Sequence, residues 1–454
     1  MSRIFWFRRD LRLQDNQALT SCALAAIADG DSSVVASYVY QKSSFEKLSG
    51  IRQHSLTASL EALSLSMDSN LNAVQGSPAV ALAKLASEHG TNFVHATKSF
   101  DPVGIKEEQE VAKALHADGK TLVLEGSNYA VEPGAVVKPT DGTPYRVYTP
   151  FYKAWFDIGW PEPYKLPMGF SWAKVSSSDF PAPTKAAQFK VRAGEAFALA
   201  TFERFKERAL FDYSDNRNRA DLSGTSKLSH ALAHGEIHPR TLLADLRDTP
   251  GHNVFRKEIA WREFYADVLF RNPRTVSDYY TPRFANMRYD SGPEADKKLE
   301  RWKLGTTGFP MVDAGMRQLA SEGWMHNRVR MIVASFLVKD LHLEWQLGAE
   351  WFEYCLSDFD PASNSHGWQW TAGCGTDASP YYRVFNPILQ GYKFDPEGNY
   401  VRKYIPELVH LQGSEVHEPW LLVDGLLNGY PEPMLDHSAE RDESLRRLEE
   451  IKEK

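Results

Sequence analysis

Cysteine is scarce, and that excludes two kinds of architecture. Cys22, Cys355 and Cys374 are the only three in 454 residues. None stands at zinc-ligand spacing, so no metal is expected, and three scattered thiols give no disulfide frame; they are expected to be reduced and structural. Long apolar runs are lacking too. Nothing approaches the roughly eighteen consecutive apolar residues that span a bilayer, and the start, MSRIFWFRRDLRLQDN, is too charged for a signal peptide. A cytoplasmic protein with no membrane partner is expected. No G-x-G-x-x-G follows the first β-like run, so the dinucleotide fingerprint is missing. A basic excess is absent as well: the net charge is −7. Residues 404–454, with twelve acidic and five basic side chains, hold the whole of that excess. The body is therefore neutral and can still present a basic face, for which Arg271, Arg274, Arg283 and Arg288 are candidates.

What remains is an ordinary globular composition, 43% hydrophobic and 24% charged, with one anomaly. There are 12 tryptophans, and most of them follow residue 200. Arg3 to Phe7, Ser33 to Tyr40, Asn92 to Ala96 and Thr121 to Glu125 read as strands. Helical patterns at about Asn16 to Ala28, Ile51 to Leu65, Ala79 to His89 and Gly104 to Asp118 fall between them. That alternation predicts an α/β domain with a mostly parallel, Rossmann-like sheet over residues 1–130. A Pro-, Gly- and Ser-rich connection over 131–193 is interrupted by the aromatic stretch Tyr145 to Trp160. Beyond it the apolar spacing is helical, which predicts an all-α domain over 194–454.

Three stretches carry candidate chemistry. Gly224 to Ser229 (GTSKLS) opens a helix, where backbone donors suit a diphosphate, or where the hydroxyls simply cap. Glu258 and Trp261 share a helix face and can meet a flat, edge-polar substrate, or can place the ring in the core and the carboxylate in water. Between Gly323 and Trp370, tryptophans alternate with Asn327, Arg328, Arg330, Asp358, Asp360 and Asn364. Arg330 can pair with Asp358 or Asp360. The mixture suits a redox-active aromatic cofactor better than a core.

WFRRDLRLQDNQAL, WREFY, GWMHNRVRM, GWQWTAGCGTD and FNPILQGYKFD, in this order, resemble the DNA photolyase/cryptochrome family along nearly the whole chain, most closely the class I cyclobutane pyrimidine dimer photolyases. The resemblance implies an α/β antenna domain, a linker and a helical domain holding FAD. It implies UV-damaged DNA as the partner and a monomeric protein. By resemblance, Tyr213, Thr225, Ser226, Lys227, Leu228 and Ser229 match the segment around the FAD phosphates, with Lys227 where many members have Arg. Trp324, Arg330, Asp358 and Asp360 match groups around the rest of the cofactor, and Asn364 the residue facing flavin N5. Plant-type cryptochromes carry Asp there, so Asn364 implies repair over a blue-light photoreceptor. Enzymes repairing (6-4) photoproducts carry His at the positions of Asn327 and Met331, so their absence implies the cyclobutane lesion. Glu258, Trp261, Asn327, Arg328 and Trp370 match the dimer-facing residues, joined by Tyr265 and Met331, with Arg217 and Gln390 at the damaged strand. Trp368 and Trp345 match the first two members of an electron chain, whose outermost position offers Tyr289 in place of Trp. Phe100 to Glu108 lacks the adjacent Asn-Glu that grips a folate in some class I members, so methenyltetrahydrofolate, a deazaflavin, another flavin or an empty pocket all stay open for the antenna site. His366 replaces a common Gly and is expected in a solvent-facing loop.

Overall fold

The computed structural model describes residues 2–175, 178–187, 191–377 and 382–452. The chain divides into two compact units, Met1–Phe211 with Ser226–Pro273, and Asp212–Thr225 with Arg274–Lys454. These units are drawn elsewhere than the boundaries expected near 130 and 193. The helices Glu195–Arg208, Ser229–His234, Pro239–Ala244 and Pro250–Arg271 belong to the unit that holds the sheet.

In the first unit, strands β1 (Arg3–Phe7), β2 (Ser33–Tyr40), β3 (Leu71–Gln75), β4 (Phe93–Thr97) and β5 (Thr121–Glu125) form a parallel sheet in the order β3-β2-β1-β4-β5, and a short β6 (Ser171–Trp172) also pairs with β2. Alternation along β1 feeds two cores. Phe5 and Phe7 pack with Leu19, Ala23, Leu60 and Leu63, from the helices Gln17–Ala28 and Gly50–Leu65. Ile4 and Trp6 pack with Leu82, Leu85, Val111 and Leu115, from Pro78–Glu88 and Pro102–Ala117. Around β1 and β2 the sheet is buried on both faces, as parallel sheets require.

The stretch expected to be a long connection with little regular structure is fixed at several points to the 22-residue helix Pro250–Arg271. Glu263 is buried and accepts from Ala130 N at 2.5 Å, Val131 N at 3.1 Å and Trp155 Nε1 at 2.5 Å. Burial pushes its carboxyl pKa up, and these donors oppose the push. One turn on, Asp267 accepts from Gly134 N at 2.7 Å and pairs with Arg271. The aromatic stretch is the helix Tyr148–Ile158, with Tyr148, Phe151 and Trp155 buried.

The second unit is helical. Pro293–Leu304, Pro310–Glu322, Asn327–Ser335, Trp345–Cys355 and Pro361–Ala372 surround a core containing Trp302, Met316, Val333, Phe336, Leu337, Trp345, Phe352 and Trp368. Asn327–Ser335 runs into a wider π-helical turn, Phe336–Asp340. The acidic end folds as the helix His437–Glu450. The chain thus combines an N-terminal parallel α/β domain with a helical C-terminal domain, the expected fold class. Among the described residues, no helix is long and apolar enough to cross a membrane, and no cluster of His, Cys, Asp and Glu could hold a metal ion.

Candidate functional site

The expected residues divide between the two units. In the helical unit the organising element is Pro361–Ala372. Asp360 caps it by accepting from Ser363 N at 2.8 Å, and Pro361 takes the first-turn position where a missing N–H costs nothing. Asn364 and Trp368 lie one turn apart on one face. The Asn364 amide donates to Ala349 O at 3.0 Å, on the neighbouring helix Trp345–Cys355. That bond orients the side chain and leaves its carbonyl oxygen as the group to be used elsewhere. Trp368 is buried against Gly348 of the same helix; a Cβ there would lie 2.1 Å from the indole Cη2. Trp370, two residues on, is half-buried.

Of the two pairings open to Arg330, the structure selects Asp358, at 2.7 Å. Arg330 Nε also donates to Met325 O at 2.8 Å. The other Asp358 oxygen, Oδ1, is buried and meets no hydrogen-bond donor. Such an atom is costly unless something else satisfies it.

Asn327 is exposed at the start of Asn327–Ser335, where the His326 ring caps the helix by accepting from Arg328 N at 3.1 Å. Met331, one turn on, is half-buried. Arg328 donates to Asn218 Oδ1 at 2.8 and 3.2 Å and lies 4.6 Å from the centre of the Phe394 ring. Arg217 and Gln390 are half-exposed, Tyr213 is buried, and Trp324 meets His326 edge to face at 6.3 Å.

In the sheet unit, the helix after Lys227 is only Ser229–His234, and no side chain caps it. The hydroxyls of Thr225 and Ser226 precede the helix. Lys227 has a left-handed backbone, φ +56, and is exposed, whereas Leu228 is buried. Glu258, Trp261 and Tyr265 are half-buried along Pro250–Arg271. Trp261 is neither core nor isolated: its ring stacks on Tyr148 and touches Tyr265 at 5.4 Å between centroids. In the segment Phe100 to Glu108, Glu108 is tied down by Arg8 at 2.6 Å and Ser99 N at 2.6 Å.

His366 corrects the sequence reading. It is not in a solvent-facing loop; the cap at Asp360 and the proline at 361 start the helix early and place it in mid-helix. There it is 1% exposed, within 3.3 Å of Thr275 Oγ1. Burial lowers its pKa to about 4, which keeps the ring neutral. Gln369, one turn on, bonds the same segment through Thr275 O at 2.9 Å and Tyr280 N at 2.7 Å.

Two aromatic neighbours were not singled out from the sequence. Trp302 meets Trp368 edge to face at 6.1 Å. Tyr279 stands between Trp345 and Tyr289. Nothing in their local sequence distinguishes them from core residues; only the tertiary fold makes them neighbours of the tryptophans.

Residues 3–167 match the family described as DNA photolyase, and residues 255–450 match the FAD binding domain of DNA photolyase. The deoxyribodipyrimidine photo-lyase of Agrobacterium fabrum is 38% identical over 97% of this chain and 96% of its own length; that of Escherichia coli is 34% identical over 98% of each. Among solved structures, a bacterial class III photolyase from Agrobacterium tumefaciens is similar at TM-score 0.90 and 37% identity, covering 100% of this chain and 98% of that one. An archaeal photolyase from Sulfolobus tokodaii with two FAD molecules is similar at TM-score 0.86 and 25% identity, covering 99% and 100%. A cryptochrome from Synechocystis is similar at TM-score 0.87 and 26% identity, covering 98% of each. With such similarity over nearly its full length, and with a FAD-binding domain in its helical half, this chain belongs to the DNA photolyase/cryptochrome family.

Proposed function

We propose that this protein repairs cyclobutane pyrimidine dimers in DNA, driven by light. Asn364 carries the reading. Its amide is held by the Ala349 carbonyl, and a carboxamide has no acidic proton to give to flavin N5, so it favours repair over signalling. Asn327 and Met331, neither able to transfer a proton, favour the cyclobutane lesion over the (6-4) photoproduct.

The residues present fit FAD. Asp358 Oδ1 is buried and unsatisfied beside the Arg330 cation, an acceptor waiting for a donor such as a nucleotide or flavin N–H. Arg330, Asp358, Asp360, Asn364 and Trp324 would hold the ring and sugar portions; Tyr213 and Thr225 to Ser229 would hold the diphosphate. When bound, FAD supplies light-driven one-electron chemistry, and ring splitting returns the electron, so no net oxidation occurs.

The chain's own groups prepare the lesion. A dimer already weakens pairing, which lowers the cost of taking it out of the duplex. Trp261 and Trp370 offer half-buried ring faces for stacking. Glu258 supplies a carboxylate that accepts from the N3–H edge of a thymine. Arg217, Arg328 and Gln390 meet the strand around it, and Tyr265 supports Trp261. A second chromophore is assigned by the same reading to the carboxyl ends of β1 and β2. Trp6 Nε1 and Arg8 Nη1 at the end of β1, and Ser37 Oγ beside Trp6 in mid-β2, are buried without partners, and crevices at the ends of such strands commonly hold ligands. Three buried free thiols fit a reducing compartment, and the protein is taken to work there as a monomer.

The test is to irradiate the flavin-loaded, chemically reduced protein with oligonucleotides carrying one defined lesion. Recovery of thymine absorbance on the cyclobutane dimer and none on the (6-4) photoproduct is expected. Turnover only on the latter, or on neither, would overturn the reading.

A further inference from the structure

Trp345 is fully buried, and its Nε1–H meets no hydrogen-bond acceptor. An indole that has lost an electron sheds that proton only to an acceptor, so here it stays a cation and a strong oxidant. The aromatic ring beside it is Tyr279, edge to face at 6.2 Å and 86°, a separation that puts the ring edges in contact. Tyr279 in turn faces Tyr289 at 6.4 Å and 21°.

The two phenols differ in what their hydroxyls meet. Tyr279 Oη donates to Glu344 Oε1 at 3.2 Å, and Glu344 is an exposed residue directly before Trp345. Tyr289 Oη faces the Phe284 carbonyl at 3.5 Å and the Tyr279 hydroxyl, neither of which is a base. Burial raises both phenol pKa values, so each holds its proton at neutral pH. A phenol gives up an electron readily only when its proton can leave at the same time. A carboxylate takes that proton; a peptide carbonyl does not.

We propose that Tyr279 is the electron donor to oxidised Trp345 and that the Glu344 carboxylate takes its proton, with Tyr289 a packing neighbour. One electron passes from the Tyr279 ring to the Trp345 radical cation, which returns to neutral indole. The O–H bond of Tyr279 breaks, and its proton bonds to Glu344 Oε1, leaving a neutral tyrosyl radical and a carboxylic acid. The oxidant that first empties Trp345 is the light-excited, oxidised isoalloxazine ring of FAD, reached through Trp368, and an external thiol later reduces the tyrosyl radical. The inference rests on the reading of Trp368 and Trp345 as an electron path.

Flash excitation of the full chain loaded with oxidised FAD, followed by transient absorption and electron paramagnetic resonance with ring-deuterated tyrosine, tests it. A tryptophan radical cation is expected first, then a tyrosyl radical whose spectrum narrows on deuteration. Y279F should lose the tyrosyl signal, whereas Y289F should keep it. E344Q, which keeps the shape and removes the base, should slow its formation by about 100-fold, the lower range for positioned proton transfer. A tyrosyl radical that survives Y279F, or disappears in Y289F, overturns the assignment. A tryptophan radical without any tyrosyl radical in the unaltered protein overturns it while sparing Trp345. No tryptophan radical at all overturns the electron path itself and this inference with it.

Discussion

Tyr148 lies flat on Trp261, the ring centres 3.7 Å apart and the planes 8° from parallel. The Tyr148 hydroxyl donates to Lys257 O at 2.7 Å, so the stack is anchored to the helix that carries Trp261. One indole face is thereby taken, and the ring plane is set before any base arrives. Removing Tyr148 leaves Trp261 free to turn. Y148A is expected to weaken binding of a dimer-containing oligonucleotide by about 1 kcal/mol, the value of an aromatic pair. Y148F should change it less. Fluorescence titration with matched damaged and undamaged strands checks both.

Asn364 and Ala349 form a second informative pair. A carboxylate cannot donate to the Ala349 carbonyl, so N364D either loses that bond or holds a proton. Dimer repair is expected to fall at least about tenfold, the loss of roughly 1.4 kcal/mol of well-placed interaction. Absorbance should show the flavin still bound. Unchanged repair in N364D would remove the argument that separates enzyme from photoreceptor.

The Arg330 and Asp358 pair predicts cofactor retention. R330M strands a buried carboxylate, a change that costs about 3 kcal/mol where pairs are desolvated. The purified variant should carry little flavin and melt at a lower temperature than the unaltered protein. D358N, which keeps one oxygen, should do less harm.

Gly348 reverses the usual helix rule. Alanine in a helix interior normally gains about 1 kcal/mol over glycine, but here its Cβ would meet the Trp368 ring at 2.1 Å and a Leu337 methyl at 2.6 Å. G348A should destabilise by about 1 to 3 kcal/mol through overpacking. Denaturant melts and flash spectroscopy on Trp368 report the two consequences separately.

His238 predicts an acid limb of stability in the sheet unit. Its Nδ1 accepts from Arg240 N at 3.1 Å, and its Nε2 donates to Ser127 O at 2.9 Å, the pattern of a neutral ring. Asp15, 3.3 Å away, favours the charged form. Burial together with the Arg12 and Arg240 guanidinium groups outweighs it, and the pKa falls to about 3. The unfolded chain therefore binds this proton first as pH drops. Stability is full above the ordinary histidine pKa, about 6.5, and is lost as pH falls toward the folded value, by at most about 5 kcal/mol. H238Q should flatten that limb in denaturation curves taken from neutral to acid pH.

Much of this architecture is legible in the sequence. β1, β2 and β5 are short runs of apolar and β-branched residues, which read as strands of a parallel sheet; β1 and β2 are mostly buried, whereas β5 lies at the sheet edge with no fully buried residue. β3 was not legible, because Leu71–Gln75 buries only Leu71 and Ala73 and carries Asn and Gln among them. Pro361–Ala372 escaped for the opposite reason. Ala362, Ser365, His366, Trp368, Gln369, Thr371 and Ala372 are all buried, so no apolar stripe marks one face. The same helix overturned the expectation for His366. In the candidate site, residue types and order pointed to Arg330, Asp358 and Asn364, while Tyr148 beneath Trp261 and Tyr279 beside Trp345 depend on contacts between distant segments, which spacing along a chain does not encode.

The helix Pro361–Ala372 also behaves as a reading frame. Each residue added to a helix turns everything after it by about 100°, so one insertion between Asn364 and Trp368 would leave both side chains intact and send the indole to a different wall of the core. One placed between Trp368 and Trp370 would leave Trp368 in place and swing Trp370 out of its half-buried position. Point substitutions test single groups, but a one-residue insertion and a compensating deletion on either side of Trp368 would test whether the protein reads these three positions as one word.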